Sequence, residues 1–256
     1  MLDLQPVQAR HLSRAPLALV LAQVRFSPTP DLVSGDTAAA VRAALGDHYP
    51  DAREERQTVT LTLPDGSRDT RELRQWILRD VAGVWTVTVA EDFVALHTVK
   101  YDDFGGFRDR LDRLLWVVAD GAAPAVTDRV GLRYVDRLVG DDMVARLPGF
   151  IRESLHGAVC DTGPGVSIMG QMIQTNARVD DDETLIRAIV LPANGLYDVM
   201  VPPVPEPSWV LDVDAFTTRR VPFDSGEIAE TVARLADRAY SAFRWAVTEE
   251  FLKEHE

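Results

Sequence analysis

Apolar and polar residues alternate along this chain in a pattern that predicts strands and helices in turn. An apolar run from Pro16 to Ser27 predicts a first strand, and an Ala-rich segment from about Asp36 to His48 predicts a short helix. Alternating residues from about Glu55 to Leu63 predict a second strand, which the Pro64-Asp65-Gly66 turn reverses. Three more strands and a long helix complete the series, at about 71–80, 84–90, 93–100 and 103–119.

A second series with the same order follows. Residues 126–139 predict a strand, and a helical stretch divided by Pro148 then runs from 141 to about 156. Further strands are predicted at about 166–179, 184–191 and 209–216, with a Pro-rich connector at 202–207. A long final helix begins near Ser225, and its apolar stripe continues to Phe251.

This order predicts an α+β fold made of two β-α-β-β-β-(β)-α halves. Residues 14–121 form the first pseudo-repeat and residues 125–256 the second, within a single structural unit of residues 1–256. One or two curved antiparallel sheets are expected to pack against two long helices. The element order resembles the doubled unit of TATA-binding-protein-like folds, and this resemblance concerns shape alone.

The densest pattern in the chain is the segment RVGLRYVDR at 129–137. Because strand side chains alternate, Arg129, Arg133 and Arg137 share one face, while the other face is apolar. Gly131 lies among these arginines and is expected to leave a dip in the surface. Arg25 occupies the matching place in the first half.

Two interpretations of these arginines stay open, and both involve the acidic strand that carries Asp212 and Asp214. In the first, Arg25 and Arg133 form ion pairs with these two aspartates across the sheet. In the second, the arginines bind a small anion or carboxylate, with Asp212 or Asp214 as a base, because the guanidinium fork suits planar anions.

Other motifs for catalysis are weak, and we predict no catalytic residue, metal ligand or cofactor. Gly163-Pro164-Gly165 lacks the Lys-Ser/Thr of a phosphate-binding loop, and no Gly-x-Ser-x-Gly motif is present. Cys160 is expected to be structural, and the histidines are scattered as surface or loop residues. The acidic run 180–183 is expected to be a solvated turn.

The aromatic residues are expected mainly in the core. All five tryptophans lie on apolar stripes, which predicts that they are buried. Phe243 and Trp245 are two positions apart on one helix and cannot both face inward. One of them is therefore expected at an interface with another copy or a partner.

Charge narrows the classes of partner. The net charge is −13, so the surface repels phosphate backbones and anionic membranes, and binding to nucleic acid is unlikely. The first residues lack the basic start and apolar stretch of a signal peptide, and no apolar run is long enough to span a membrane. With a single cysteine, these features predict a cytoplasmic protein.

The order of several short motifs resembles a known family. These motifs are Pro16-Leu17, Val24-Arg25-Phe26, Trp76, Thr98 to Tyr101, Phe107, the segment 129–137, Leu211 to Asp214, Phe243 and Thr248. Together they resemble a sporadically distributed family of bacterial proteins of about this length and of unknown function. Relatives often carry Asn where this chain has Asp136. The patchy distribution implies an accessory or defence-associated role.

Two functional hypotheses follow. The first is a non-enzymatic binding or accessory protein, a partner or antitoxin-like component of a bacterial defence or toxin system, with a protein partner or a homo-oligomer expected. The second is a ligand-binding protein or enzyme that uses the arginine-bearing strand for a small anion or carboxylate.

Overall fold

The structure, a computed structural model, describes residues 2–45, 48–62, 68–161, 163–166 and 168–256. Within these ranges it is an α+β fold in which a large antiparallel sheet packs against helices, so this part of the prediction is confirmed. The strands are β1 (Leu17–Phe26), β2 (Asp51–Thr62), β3 (Arg68–Arg79), β4 (Trp85–Ala90), β5 (Phe93–Thr98), β6 (Val126–Val139), β7 (Gln171–Val179), β8 (Asp182–Leu191), β9 (Ser208–Thr217) and β10 (Val221–Pro222). The helices are α1 (Gly35–Leu45), α2 (Phe104–Gly121), α3 (Asp141–Ala145), α4 (Leu147–Phe150), α5 (Ser225–Ala246) and α6 (Glu249–His255).

The strands form one sheet in the order β2-β3-β4-β5-β1-β6-β9-β8-β7, with β10 paired to β6. The central pair is β1 and β6, which are antiparallel and place Arg25 opposite Arg129 and Gln23 opposite Gly131. In the described part of the chain, β2 and β7 are the two edges of this path.

The two long helices cover one face of the sheet. Asp103 caps α2 by accepting a hydrogen bond from the Gly106 amide at 2.8 Å, and Asp224 caps α5 in the same way from Glu227 at 2.9 Å. Both helices bury an apolar stripe in the main core together with residues of the central strands. Members of this core are Leu111, Leu114, Val232, Leu235, Val24, Leu132 and Leu211. The opposite face is called the outer face below.

Several predicted boundaries differ from the structure. Strand β2 begins at Asp51 rather than near Glu55, because its charged first half, 51–56, pairs with residues 74–79 of β3. Strand β7 begins at Gln171 rather than at Val166, and the predicted 64–66 turn lies outside the described residues.

The predicted helices of the second part are also divided. The stretch 141–156 contains α3, α4 and a short 3-10 turn, because Pro148 lies in the first turn of a new helix. A second 3-10 turn follows at Gly157–Cys160, and Gly157 has φ +55°. The final helix ends at Ala246, since Val247 is extended, and Thr248 then caps α6 by accepting from the Phe251 amide at 3.3 Å.

Some side-chain predictions are wrong. Trp116 is 61% exposed on α2, whereas Trp209 is buried as predicted. Phe243 and Trp245 are both half-buried against the main core. His255 is buried and stacks on Phe251 at a ring-centroid distance of 4.3 Å, so it is not a surface residue.

The acidic run at 180–183 is not solvated throughout. Asp182 is buried and accepts two hydrogen bonds from Arg234, at 2.9 and 3.1 Å, so its charge is paired. Asp180 and Asp181 stay exposed. Among the helices described, none is both long and apolar enough to cross a membrane.

Candidate functional site

The outer face carries a second, smaller core over its β6-β9-β8 part. Leu19, Val135, Ile189, Val201 and Val210 form it, and Tyr197 and Met200 pack against it. The last two belong to residues 192–207, here called the outer segment, which connects β8 to β9. A cover therefore lies over this part of the outer face.

Arg133 lies at the centre of a polar network under the outer segment. Its guanidinium makes a two-pronged contact with Asp212, with Nε to Oδ1 at 2.7 Å and Nη2 to Oδ2 at 3.1 Å. Its third nitrogen, Nη1, donates to Oδ2 of Asp198 at 2.9 Å. The predicted ion pair between Arg133 and Asp212 is confirmed.

Asp212 accepts from two further groups. Arg187 lies directly opposite it on β8 and donates from Nη1 to Oδ2 at 2.8 Å. The Tyr197 hydroxyl also donates to Oδ2. The side chain of Asp212 is 0% exposed, so two arginines and a tyrosine supply what water would supply to an open carboxylate.

The network shifts the pKa of its members. Burial alone would lower the pKa of Arg133, but the hydrogen bonds and charges of Asp212 and Asp198 outweigh burial and leave this pKa raised. Burial, together with the hydrogen bond to Asp212, raises the pKa of Tyr197 to about 12. Burial opposes ionisation of Asp198, yet the Met200 amide and Arg133 hold its pKa below the usual value. Arg133 and Asp198 are therefore charged, and Tyr197 is protonated, near neutral pH.

Arg129 forms a second ion pair on the same face. Its Nη2 donates to Oδ2 of Asp214 at 2.9 Å, and its guanidinium stacks on the Phe216 ring at 4.5 Å. A Cβ added at Gly131 would lie 2.5 Å from Nη1 of Arg129, so the arginine lies directly over this glycine. The dip expected at Gly131 is filled by Arg129.

Arg137 ties β6 to the end of the outer segment. Its Nε and Nη2 donate to the Ser208 hydroxyl at 3.1 and 3.0 Å, and Nη1 donates to the Pro202 carbonyl. No carboxylate within the described ranges forms a salt bridge with it, and burial lowers its pKa. Each of its three nitrogens therefore donates to a protein oxygen.

Arg25 is separate from this network. It pairs with Asp92 instead, and its side chain is 46% exposed. The prediction that Arg25 reaches Asp212 or Asp214 is wrong, because β6 lies between β1 and β9. Strands two positions apart are about 10 Å from each other.

Three members of the network were missed by sequence reasoning: Arg187, Tyr197 and Asp198. Arg187 gives a signal, since it is the one charged residue in the otherwise largely apolar run 184–191. Tyr197 and Asp198 lie in an irregular connector, where no periodicity indicates which face of the sheet they reach.

The chemical capacity of this site is small, because its groups are already paired. Three arginines face three aspartates, and their charges balance; the six are Arg129, Arg133, Arg187, Asp198, Asp212 and Asp214. Two cavities in the described part of the structure have volumes of about 260 and 660 Å³, and neither is lined by a site residue predicted from the sequence, namely Arg25, Arg129, Arg133, Arg137, Asp212 or Asp214. The smaller cavity lies beside Asp182 and Arg234, and the larger lies between the N-terminal segment and α5.

Other reactive groups are isolated. Burial raises the pKa of the Cys160 thiol, which disfavours the nucleophilic thiolate. Burial, followed by the charge of Arg79, lowers the pKa of His97 to about 4. Within the part of the chain that is described, no group of three or more His, Cys, Asp or Glu residues is arranged to hold a metal ion.

Among the described residues, Asp136 is the charged residue of β6 whose side chain has no hydrogen-bond partner. It is buried, and no other described residue forms a hydrogen bond or ion pair with its carboxyl group. Burial raises its pKa to about 7. An uncompensated carboxyl in this position favours the protonated form.

In comparisons with known proteins, no family model matches the chain, and no curated protein matches it. The resemblance to the sporadic bacterial family therefore stays a prediction.

Proposed function

We propose that the protein is a non-enzymatic binding protein that acts through a protein partner. The observation that carries the proposal is that all three guanidinium nitrogens of Arg133 donate hydrogen bonds within the protein, to Asp212, Asp198 and Tyr197. An arginine that serves an anionic ligand needs free donors, because displacing a buried carboxylate leaves that carboxylate unpaired at a cost of several kcal/mol, roughly 3–5. The arginines of β6 thus bind the outer segment to the sheet, through Arg133 and Arg137.

The proposed biological role rests on the family resemblance, and the chemistry of the partner rests on charge. We assign the protein to the cytoplasm as an accessory or antitoxin-like component of a bacterial defence or toxin system. The acidic surface, with a net charge of −13, favours a basic protein partner over nucleic acid.

The pseudo-repeat is also proposed. The strand order supports it, since β1 pairs with β5, the last strand of the meander that follows it, and β6 pairs with β9 in the same way. The antiparallel β1-β6 pair between residues 14–121 and 125–256 is compatible with a twofold relation of TATA-binding-protein-like shape.

One experiment separates this function from anion binding. The native protein is titrated calorimetrically with phosphate, acetate and succinate, using sodium chloride at matched ionic strength as the control. We expect no saturable heat from the arginines of β6, because each nitrogen of Arg133 already donates to a group of the protein. Saturable binding that is lost in Arg129→Gln, whose side chain makes a single ion pair, would overturn the proposal.

A second experiment tests partner binding directly. The tagged protein is expressed together with its flanking genes and purified. We expect one flanking gene product to copurify in stoichiometric amount. A protein that is purified free of every flanking product would contradict the proposed function.

A further inference from the structure

The larger cavity carries a charge opposite to that of the whole chain. Its volume is about 660 Å³, and the described residues that line it include three arginines, Arg10, Arg152 and Arg244, against one carboxylate, Asp3. The smaller cavity has the reverse balance, with four carboxylates and two arginines. Because the net charge is −13, a concave surface with excess positive charge is an exception in this protein. Such a surface attracts anions.

Hydrogen bonds hold the walls of this cavity in place. The N-terminal segment, residues 2–16, lies along α5 and forms one wall. Ser241 of α5 donates to the Gln5 carbonyl at 2.7 Å, and the Tyr240 hydroxyl accepts from the Arg10 amide at 2.7 Å. The cavity is therefore formed by the protein alone, as small-molecule sites usually are.

Glu249 brings two of the three arginines together. Its Oε2 accepts from Nη1 of Arg10 at 2.8 Å, and its Oε1 accepts from Nη2 of Arg244 at 3.0 Å. The Glu249 side chain is 64% exposed, so solvent screens these ion pairs. An anion can approach both arginines without uncovering a buried carboxylate, in contrast to Arg133, whose partner Asp212 is fully buried.

Arg152 is anchored and still has donors to offer. Its Nε donates to the Trp245 carbonyl at 2.7 Å, and its guanidinium lies 5.2 Å from the centroid of the Trp245 ring. No described residue forms an ion pair with Arg152 or accepts a hydrogen bond from its two Nη atoms. A guanidinium fixed in this way presents a fork that suits the oxygens of a phosphate or carboxylate.

The unmatched buried groups of the lining residues are donors. Nη1 of Arg244 and Nε1 of Trp245 are buried and have no acceptor among the described residues. Neither group can accept a hydrogen bond, and a buried donor without an acceptor costs free energy. This lining favours a ligand that is rich in acceptor oxygens.

The cavity also has apolar surface. Val7, which is 48% exposed, and the half-buried Trp245 both line it. A volume of this size is in the range of sites that hold a small organic molecule, and it exceeds what a single inorganic ion fills. The ligand that fits therefore has an anionic group and an apolar part.

We propose that this cavity binds a small organic anion. Arg152, with Arg10 and Arg244, holds its phosphate or carboxylate group, and Trp245 and Val7 contact its apolar part. The site is separate from the arginines of β6, so the inference holds whether or not the proposed function is correct.

Calorimetry tests the class of ligand. The native full-length protein is titrated with phenyl phosphate and with benzoate, and benzyl alcohol, which has the ring without the charge, is the control. We expect saturable heat with at least one of the two anions and none with benzyl alcohol. No saturable heat with either anion, or equal binding of benzyl alcohol, would overturn the inference.

Substitutions locate the bound anion. Arg152→Gln removes the fork and is expected to weaken binding roughly tenfold or more, and urea unfolding checks that the variant keeps the native fold. Arg219→Gln is the matched control, because Arg219 is an exposed arginine of the smaller cavity without an ion pair to any described residue. It should leave the Kd unchanged. Unchanged affinity in a folded Arg152→Gln would overturn the inference. Binding lost in Arg129→Gln instead would place the anion on β6 and overturn the proposed function as well.

A third variant tests the part given to the paired arginines. Glu249→Gln removes the carboxylate that Arg10 and Arg244 share and is expected to tighten binding several-fold, because one negative charge beside the anion is lost. An affinity that is unchanged or lower in Glu249→Gln would contradict the placement of the anion beside these two arginines.

Discussion

Arg25 and Arg133 lie on the two central strands of the sheet and face the same side, yet their surroundings differ. Arg25 is 46% exposed and pairs with Asp92, which is itself 35% exposed. Arg133 is 13% exposed and pairs with Asp212, which is fully buried. The outer segment produces the difference, because its Tyr197 packs over the Arg133 side of the sheet. Because both arginines form an ion pair, we expect burial rather than pairing to decide how much stability is lost when each is removed.

The largest expected effect comes from removing the buried arginine. Arg133→Met leaves Asp212 buried with one arginine fewer and Asp198 without its ion pair, so we expect a loss of about 3–5 kcal/mol in the free energy of unfolding. Urea unfolding followed by far-UV circular dichroism measures this loss. A variant as stable as the native protein would show that Arg133 is dispensable for the fold and would favour the ligand-binding hypothesis.

The opposite face of β6 offers a contrast, because Asp136 is a buried carboxyl group without a partner among the described residues. Asp136→Asn keeps the shape of the side chain and removes the titration, so we expect it to stabilise the protein at pH 8 by roughly 2–4 kcal/mol.

The pH dependence of this effect has a definite sign. The pKa of Asp136 is about 7 in the folded protein and 3.8 when unperturbed. Between these two pH values the carboxyl group is therefore protonated in the folded state and ionised in the unfolded state. The contribution of Asp136 to stability is therefore lost as pH rises from about 4 to about 7. Urea unfolding at several pH values should show that the free energy of unfolding of the native protein falls relative to that of Asp136→Asn as the pH rises across this window. A constant difference between the two proteins would contradict the assignment.

A smaller effect is expected at the tyrosine of the network. Tyr197→Phe removes one hydrogen-bond donor to Asp212 and keeps the ring packed against the smaller core of the outer face. We therefore expect a loss of about 1 kcal/mol in the free energy of unfolding. The variant should also increase amide hydrogen exchange across the outer segment, because that segment loses a tie to β9. Unchanged exchange and stability would indicate that Arg133 and Arg187 satisfy Asp212 without help.

The smallest effect is expected at the exposed arginine. Arg25→Met breaks a half-exposed ion pair with Asp92, and such pairs contribute about 0–1 kcal/mol. Urea unfolding should give this variant a free energy of unfolding close to that of the native protein. In 1 M salt, which screens exposed charges, the remaining difference should disappear. A loss as large as that of Arg133→Met would contradict the role given to burial.

The sequence predicted the architecture of this sheet better than it predicted the contacts of the site. Strand alternation and the stripe of α2 depend on local periodicity, so the α+β class and most elements could be found from the pattern. Arg133 and Asp212 were placed together because both lie on charged faces of apolar strands.

The error at Arg25 has a topological cause. Which strand lies beside β1 depends on tertiary packing, and β6 rather than β9 occupies that position. The missed residues Tyr197 and Asp198 lie in a connector without regular secondary structure, whose path over the sheet no local pattern defines. Asp136 lies on the otherwise apolar face of β6. Its position on that face is consistent with burial, but the pattern alone does not show that its carboxyl group lacks a partner.

Two double-mutant cycles measured side by side test the central claim most directly. The first combines Arg133→Met with Asp212→Asn, and the second combines Arg25→Met with Asp92→Asn, with urea unfolding as the readout for all variants. Our account predicts a coupling energy of about 2 kcal/mol or more for the buried pair and less than about 0.5 kcal/mol for the exposed pair. Equal couplings in the two cycles would contradict it, because Arg133 would then be no more committed to the fold than Arg25.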